Sequence, residues 1–85
     1  MLYALAVICA TNGPCIAHKD TRGPYRTRAA CEARMAEMRP FVRATAAQLA
    51  GAVGTVDVAE ICATLPEIRS IWPDAYPDAR HEVPV

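Results

Sequence analysis

A chain of 85 residues has room for one domain and one core, and buries only about 60–65% of its unfolded surface. A hydrophobic fraction of 53% excludes general disorder, although alanine supplies much of it and buries little area per residue, so the core is thin. The formal net charge of zero gives no footprint of a dedicated nucleic-acid binder. It hides an asymmetry: Lys19 to Arg43 carries seven Lys/Arg against Asp20, Glu32 and Glu37 (7 − 3 = +4), and Ala44 to Val85 carries six Asp/Glu against Arg69 and Arg80 (2 − 6 = −4). Each half is suited to a partner of opposite sign, or to the other half.

In chain order, Leu2 to Ala10 is apolar on both faces and too short for a helix of equal burial, which predicts a strand. Asn12-Gly13 tolerates positive φ, so the chain should reverse there into a return strand over Cys15 to His18, kept short or at an edge by Pro14. Lys19 to Arg26 reads as a polar loop with a Gly-Pro turn and an exposed aromatic, Tyr25. From Thr27 to Gly51 the apolar positions Cys31, Met35, Met38, Val42, Thr45 and Leu49 recur at helical spacing, predicting one long helix. Thr27 is placed to cap its first turn and Gly51 to end it in a left-handed conformation. Pro40 removes one backbone hydrogen bond away from the stripe, so it bends the helix or breaks it in two. Alanines 29, 33, 36, 44 and 47 raise helix propensity on the back without adding bulk.

Asp57 with Glu60 fits a capping box, and Val58, Ile61, Cys62, Leu65, Ile68 and Trp72 share a helical face, predicting a second helix from Val58 that Pro66 bends or restarts. Thr64 and Glu67 repeat the capping pattern there. The alternative is a third strand over Thr55 to Ala63, favoured by Val56 and Val58 and by the hairpin's need for another member. The tail from Trp72 repeats Pro-Asp-Ala and should be extended, with Trp72 and Tyr76 pinning its start. The expected fold is therefore α+β: an N-terminal β-hairpin packed on a long Pro-kinked helix plus a shorter C-terminal helix, or ββαβ with a third strand near 55–63. Residues 1–78 form the domain and 79–85 a mobile tail.

Four cysteines allow three pairings of two disulfides, Cys15–Cys31 and Cys9–Cys62 among the bridges to consider. The apolar start is too short for a membrane span and lacks a basic n-region, which favours the cytoplasm, and with it reduced, packed cysteines. Cys15 and His18 have a usable ligand spacing, but there is no second tight pair, so no metal or cofactor is expected. The same two residues are the nearest thiol and imidazole, on a hairpin edge too small to exclude water, and no Cys-x-x-Cys, Walker or dinucleotide-binding glycine motif is present; the chain reads as no enzyme.

A binding role is the least demanding reading. Arg22, Tyr25, Arg26, Arg34, Arg39 and Arg43, in the basic loop and on the helix back, form the candidate partner-binding set. Arg39 and Arg43 stand one turn apart and repel, so an anion, an acidic segment or a partner is expected beside them. The bland reading pairs these arginines with the acidic half as a solvated face. Partners consistent with this are a protein or ribonucleoprotein surface, a second copy of the chain and, with weaker support, nucleic acid.

The run Tyr25 to Ala33, Y-R-T-R-A-A-C-E-A, following a hairpin that carries Cys9 and Cys15, resembles a pattern in small proteins encoded by phages and prophages of high-GC bacteria. Some of these are anti-CRISPR inhibitors. The resemblance covers about half the chain and transfers no functional residue. It implies a cytoplasmic inhibitor that occupies a surface on a host defence complex, such as a CRISPR-Cas effector, rather than an enzyme. Inhibitors that mimic DNA are strongly acidic throughout, so mimicry here would fall to the acidic C-terminal segment. The competing reading is a small structural or exported domain stabilised by disulfides.

Overall fold

The computed structural model describes residues 1–75; the expectations for Tyr76 and for a mobile tail over 79–85 lie outside the described residues. The elements are β1 (Tyr3–Ala10), β2 (Cys15–Lys19), α1 (Arg28–Val53), β3 (Val56–Ala63) and α2 (Leu65–Ile71). The strands form an antiparallel sheet in the order β2-β1-β3, so the α+β class stands and the N-terminal hairpin is present.

The continuous apolar run of β1 is explained by its central place, with cover on both faces. Ala4, Ala6 and Ile8 pack under Cys31, Met35, Met38 and Val42 of α1. The alanines let the helix come close. Tyr3, Leu5 and Val7 face the other way, onto Leu65 and Ile68 of α2 and onto Ala75, with Trp72 packed alongside. The hairpin reverses at Asn12, whose φ of 61° is the left-handed value its side chain tolerates.

Thr27 caps α1 as expected, its hydroxyl accepting from the Ala30 N–H at 3.1 Å. Pro40 does not divide the helix, which runs unbroken through it. Pro40 and Ala36 are both exposed, so the Ala36 carbonyl that loses its donor is turned to water. The C-terminal expectation is corrected: Gly51 lies within the helix and the chain leaves at Gly54, with φ 94° and its N–H donating to the Ala50 carbonyl at 2.7 Å. A methyl group at either glycine meets nothing within 4 Å, so backbone conformation alone sets the outcome. Gly51→Ala should stabilise by about 0.5–1 kcal/mol, as a helix-interior glycine replaced by alanine does. Gly54→Ala should destabilise by about 1 kcal/mol or more, because its positive φ is strained for any side chain. Paired thermal melts of the two variants check the opposite signs.

The helix expected from Val58 is a strand instead, which the third-strand alternative anticipated. β1 has two hydrogen-bonding edges and β2 fills only one, so β3 takes the other, with Ala4 opposite Cys62 and Ile8 opposite Val58. Asp57 and Glu60 are therefore no capping box; they fall on opposite faces of a strand. The later part of the helical spacing is real: Leu65 and Ile68 are buried on one face of α2. That helix begins where Thr64 and Glu67 mark it, the Glu67 carboxylate accepting from the Thr64 N–H at 2.9 Å and hydroxyl at 2.7 Å.

The expectation of reduced cysteines is also overturned, since Cys9–Cys15 and Cys31–Cys62 are both bridged. Neither is a bridge singled out from the sequence. Cys9 and Cys15 are direct partners in the β1–β2 register, with Cα atoms 4.0 Å apart. Cys31 lies in the first turns of α1 above Cys62 of β3, their Cα atoms 6.1 Å apart. The second pairing exists only because residues 56–63 are a strand beneath the helix.

Candidate functional site

The six residues of the predicted partner-binding set lie on or just before α1, and the structure divides them by what they already touch. Asp20, the residue after β2, is only 3% exposed. Its carboxylate accepts from the Arg34 Nε at 2.8 Å, the Tyr25 hydroxyl at 2.5 Å and the Arg22 backbone N–H at 3.0 Å. Burial alone would raise the Asp20 pKa; the Tyr25 hydroxyl, the Arg34 guanidinium and the Arg22 N–H outweigh it and hold the carboxyl below its ordinary 3.8. Burial, with the hydrogen bond and charge of Asp20, pushes Tyr25 up to about 12. Tyr25, expected to be an exposed loop aromatic, is half-buried, bonded through its backbone to Leu2 and packed at the rim of the core. Tyr25 and Arg34 are thus a latch joining the loop, the end of β2 and α1.

Arg39 is committed as well. Its Nε and Nη2 donate to the two carboxylate oxygens of Glu60 on β3, at 2.7 and 2.8 Å. That fork lowers the Glu60 pKa below its ordinary 4.5. Arg22 reaches Glu37 at 3.8 Å with both side chains mostly in water, a contact worth a few tenths of a kcal/mol at most. Arg26 and Arg43 are exposed and form no ion pair with another described residue. Within the predicted set, the cationic groups with little or no engagement are therefore Arg22 and Arg26 at the loop and Arg43 in mid-helix.

Two adjoining shallow clefts run between α1 and β3. One, of about 330 Å³, is lined by Arg28, Glu32, Met35, Arg39, Glu60 and Cys62. The next, of about 380 Å³, is lined by Arg39, Val42, Arg43, Val58 and Glu60. The Arg39–Glu60 pair is their common wall. On the opposite flank of α1, Phe41 is 66% exposed, one turn from Glu37 and thus on the same side as Arg22.

Sequence reasoning missed Asp20, Glu60 and Phe41. Asp20 looked like one acid among loop cations, and nothing local signals burial. Glu60 was given to a helix cap. Phe41 does carry a signal, an aromatic one residue off the stripe beside Val42. The thiol–imidazole pair is removed by the fold, because Cys15 is bridged to Cys9 and carries no thiolate. Among the described residues no helix is long and apolar enough to cross a membrane. No family model matches the chain, and no curated protein and no solved structure matches it either.

Proposed function

We propose that the chain is a non-enzymatic binding domain that occupies a surface on a host protein or ribonucleoprotein complex, the mode of action of the mobile-element inhibitors that its Tyr25–Ala33 run resembles. The observation that carries this reading is Phe41, a large aromatic left two-thirds exposed at the middle of α1. Aromatic and arginine side chains dominate the energetics of protein interfaces, and Phe41 stands one helical turn from Glu37, the residue that Arg22 reaches. The contact set becomes Phe41, Arg22 and Arg26; Arg43 falls outside it in the cleft beside Val58, and Tyr25, Arg34 and Arg39 act as structural supports. Phe41→Asp combined with Arg22→Glu should reduce capture of the target from host lysate by at least about tenfold while both disulfides and the fold persist. Undiminished capture would clear that flank of any role.

A second reading, an exported disulfide-stapled domain, is favoured by the two bridges, which persist in oxidising compartments and are rare in reducing ones. Mass spectrometry after thiol alkylation of protein taken directly from its own cells separates the two. Blocked thiols throughout place it in an oxidising setting, and four free thiols return it to the cytoplasm.

A further inference from the structure

The hydrogen-bond phase of the sheet shows which backbone groups face out. The Asp20 N–H donates to the Ala4 carbonyl and the Ala10 N–H to the Pro14 carbonyl, at 3.2 and 3.0 Å, so the even residues of β1 bond towards β2. The Cys9 and Cys15 Cα atoms are 4.0 Å apart, the close spacing of a pair without mutual backbone bonds, in agreement. The odd residues of β1 therefore bond towards β3, and their partners there are Asp57, Ala59, Ile61 and Ala63. By alternation, Val56, Val58, Glu60 and Cys62 aim their N–H and C=O groups away from the sheet. The Cys62 carbonyl is covered, accepting from Arg28 Nη1 at 3.2 Å. No described strand pairs with the remaining stretch over Val56 to Glu60, and Val58 at its centre is 44% exposed.

We infer that this edge of β3 pairs antiparallel with the same edge of a second copy, making a continuous six-stranded sheet across a two-fold axis. A register centred on Val58 brings the outward-facing groups of the two copies into phase. It opposes Val58 to Val58, Val56 to Glu60 and Asp57 to Ala59, so no like charges meet. Val58 and Glu60 line the cleft that also holds Arg43, which puts Arg43 on the same face of the new ribbon as the second copy's Glu60. A copy of this chain thus supplies at once the strand edge, the valine and, on the Arg43 face, a second carboxylate, itself held by its own Arg39. The outer edge of β2 is a poorer site, because that strand is five residues long and follows Pro14. The inference is independent of Phe41, which lies on the other flank of α1.

The test uses the full chain. Light scattering with size exclusion should give twice the mass of one chain at tens of micromolar. Val58→Pro removes an N–H that the fold itself does not use, so the variant should keep its circular dichroism and both disulfides and yet be monomeric, its dissociation constant raised at least tenfold. If proline disturbs the strand, Val58→Lys, which puts charges face to face on the axis, should give the same loss. A wild-type chain that stays monomeric up to several hundred micromolar overturns the inference. So does a folded Val58→Pro or Val58→Lys variant that dimerises as tightly as wild type, or a wild-type edge that takes up an extended peptide and never a second copy.

Discussion

Replacing Cys31 and Cys62 together by alanine should lower the unfolding free energy by about 3–4 kcal/mol, the entropy of closing a loop of this length, with the Cys31–Cys62 sequence separation being 31. The Cys9–Cys15 bridge, with a separation of 6, should be worth nearer 2 kcal/mol on the same basis. For a domain whose total stability is of order 5–15 kcal/mol, the first loss is a large fraction and should lower the melting temperature by roughly 15–25 °C. The reason lies in the thin core. Alanines at 4 and 6 bring helix and strand close but bury little area, so the covalent tie between α1 and β3 substitutes for contacts the core lacks. Thermal unfolding of the two double variants, monitored by circular dichroism, checks the ranking, and a Cys31/Cys62 variant that melts within a few degrees of wild type would overturn it. Graded reduction gives a second view. Cys15 is exposed and Cys31 is fully buried, so the hairpin bridge should open first.

Asp20→Ala should cost about 3 kcal/mol, because it strips a buried acceptor from the Arg34 guanidinium, the Tyr25 hydroxyl and the Arg22 N–H at once. Asp20→Asn, similar in shape but uncharged, should cost about 2 kcal/mol. The same cluster sets the pH dependence. Asp20, Glu60 and Glu67 all have folded pKa values below their ordinary 3.8 or 4.5, so their contributions are present above those values and are lost as pH falls below about 4. Tyr25 is the opposite case. Its folded value is pushed up to about 12, so its contribution is complete below pH 10 and is lost as pH rises from 10 towards 12. Stability should therefore be flat between about pH 5 and 9 and fall on both sides. In Asp20→Ala the alkaline limb should shrink and Tyr25 should ionise at a lower pH than in wild type in an ultraviolet titration, losing the hydrogen bond and charge of Asp20 and keeping the effect of burial. A Tyr25 that titrates identically in wild type and variant would show that the latch is not formed in solution.

The long helix was legible from its residues because its signals are local: a stripe at helical spacing and a hydroxyl one residue before it. Residues 56–71 were only half legible. Val58 to Cys62 extend the helical period of Leu65 and Ile68 by coincidence, and what makes that first part a strand is the open edge of β1, far away in sequence. The helix of Leu65–Ile71 was marked in advance by Thr64, Pro66 and Glu67, which act within one turn. Of the candidate site, the arginines could be counted but not sorted. Arg34 and Arg43 look alike in the chain, and differ because one faces buried Asp20 and the other a cleft beside Val58.

The residues alone determined an α+β domain, an N-terminal hairpin turning at Asn12, a helix capped by Thr27 and an apolar β1 that needs cover on both faces, since each of these depends on neighbours within a few positions. Tertiary structure alone decided that β3 is a strand, that Cys31 pairs with Cys62, that Asp20 is buried and that Phe41 is not. Those outcomes depend on which segments meet across the sheet, and pairing energy between distant segments leaves no trace in the order of residues along either one.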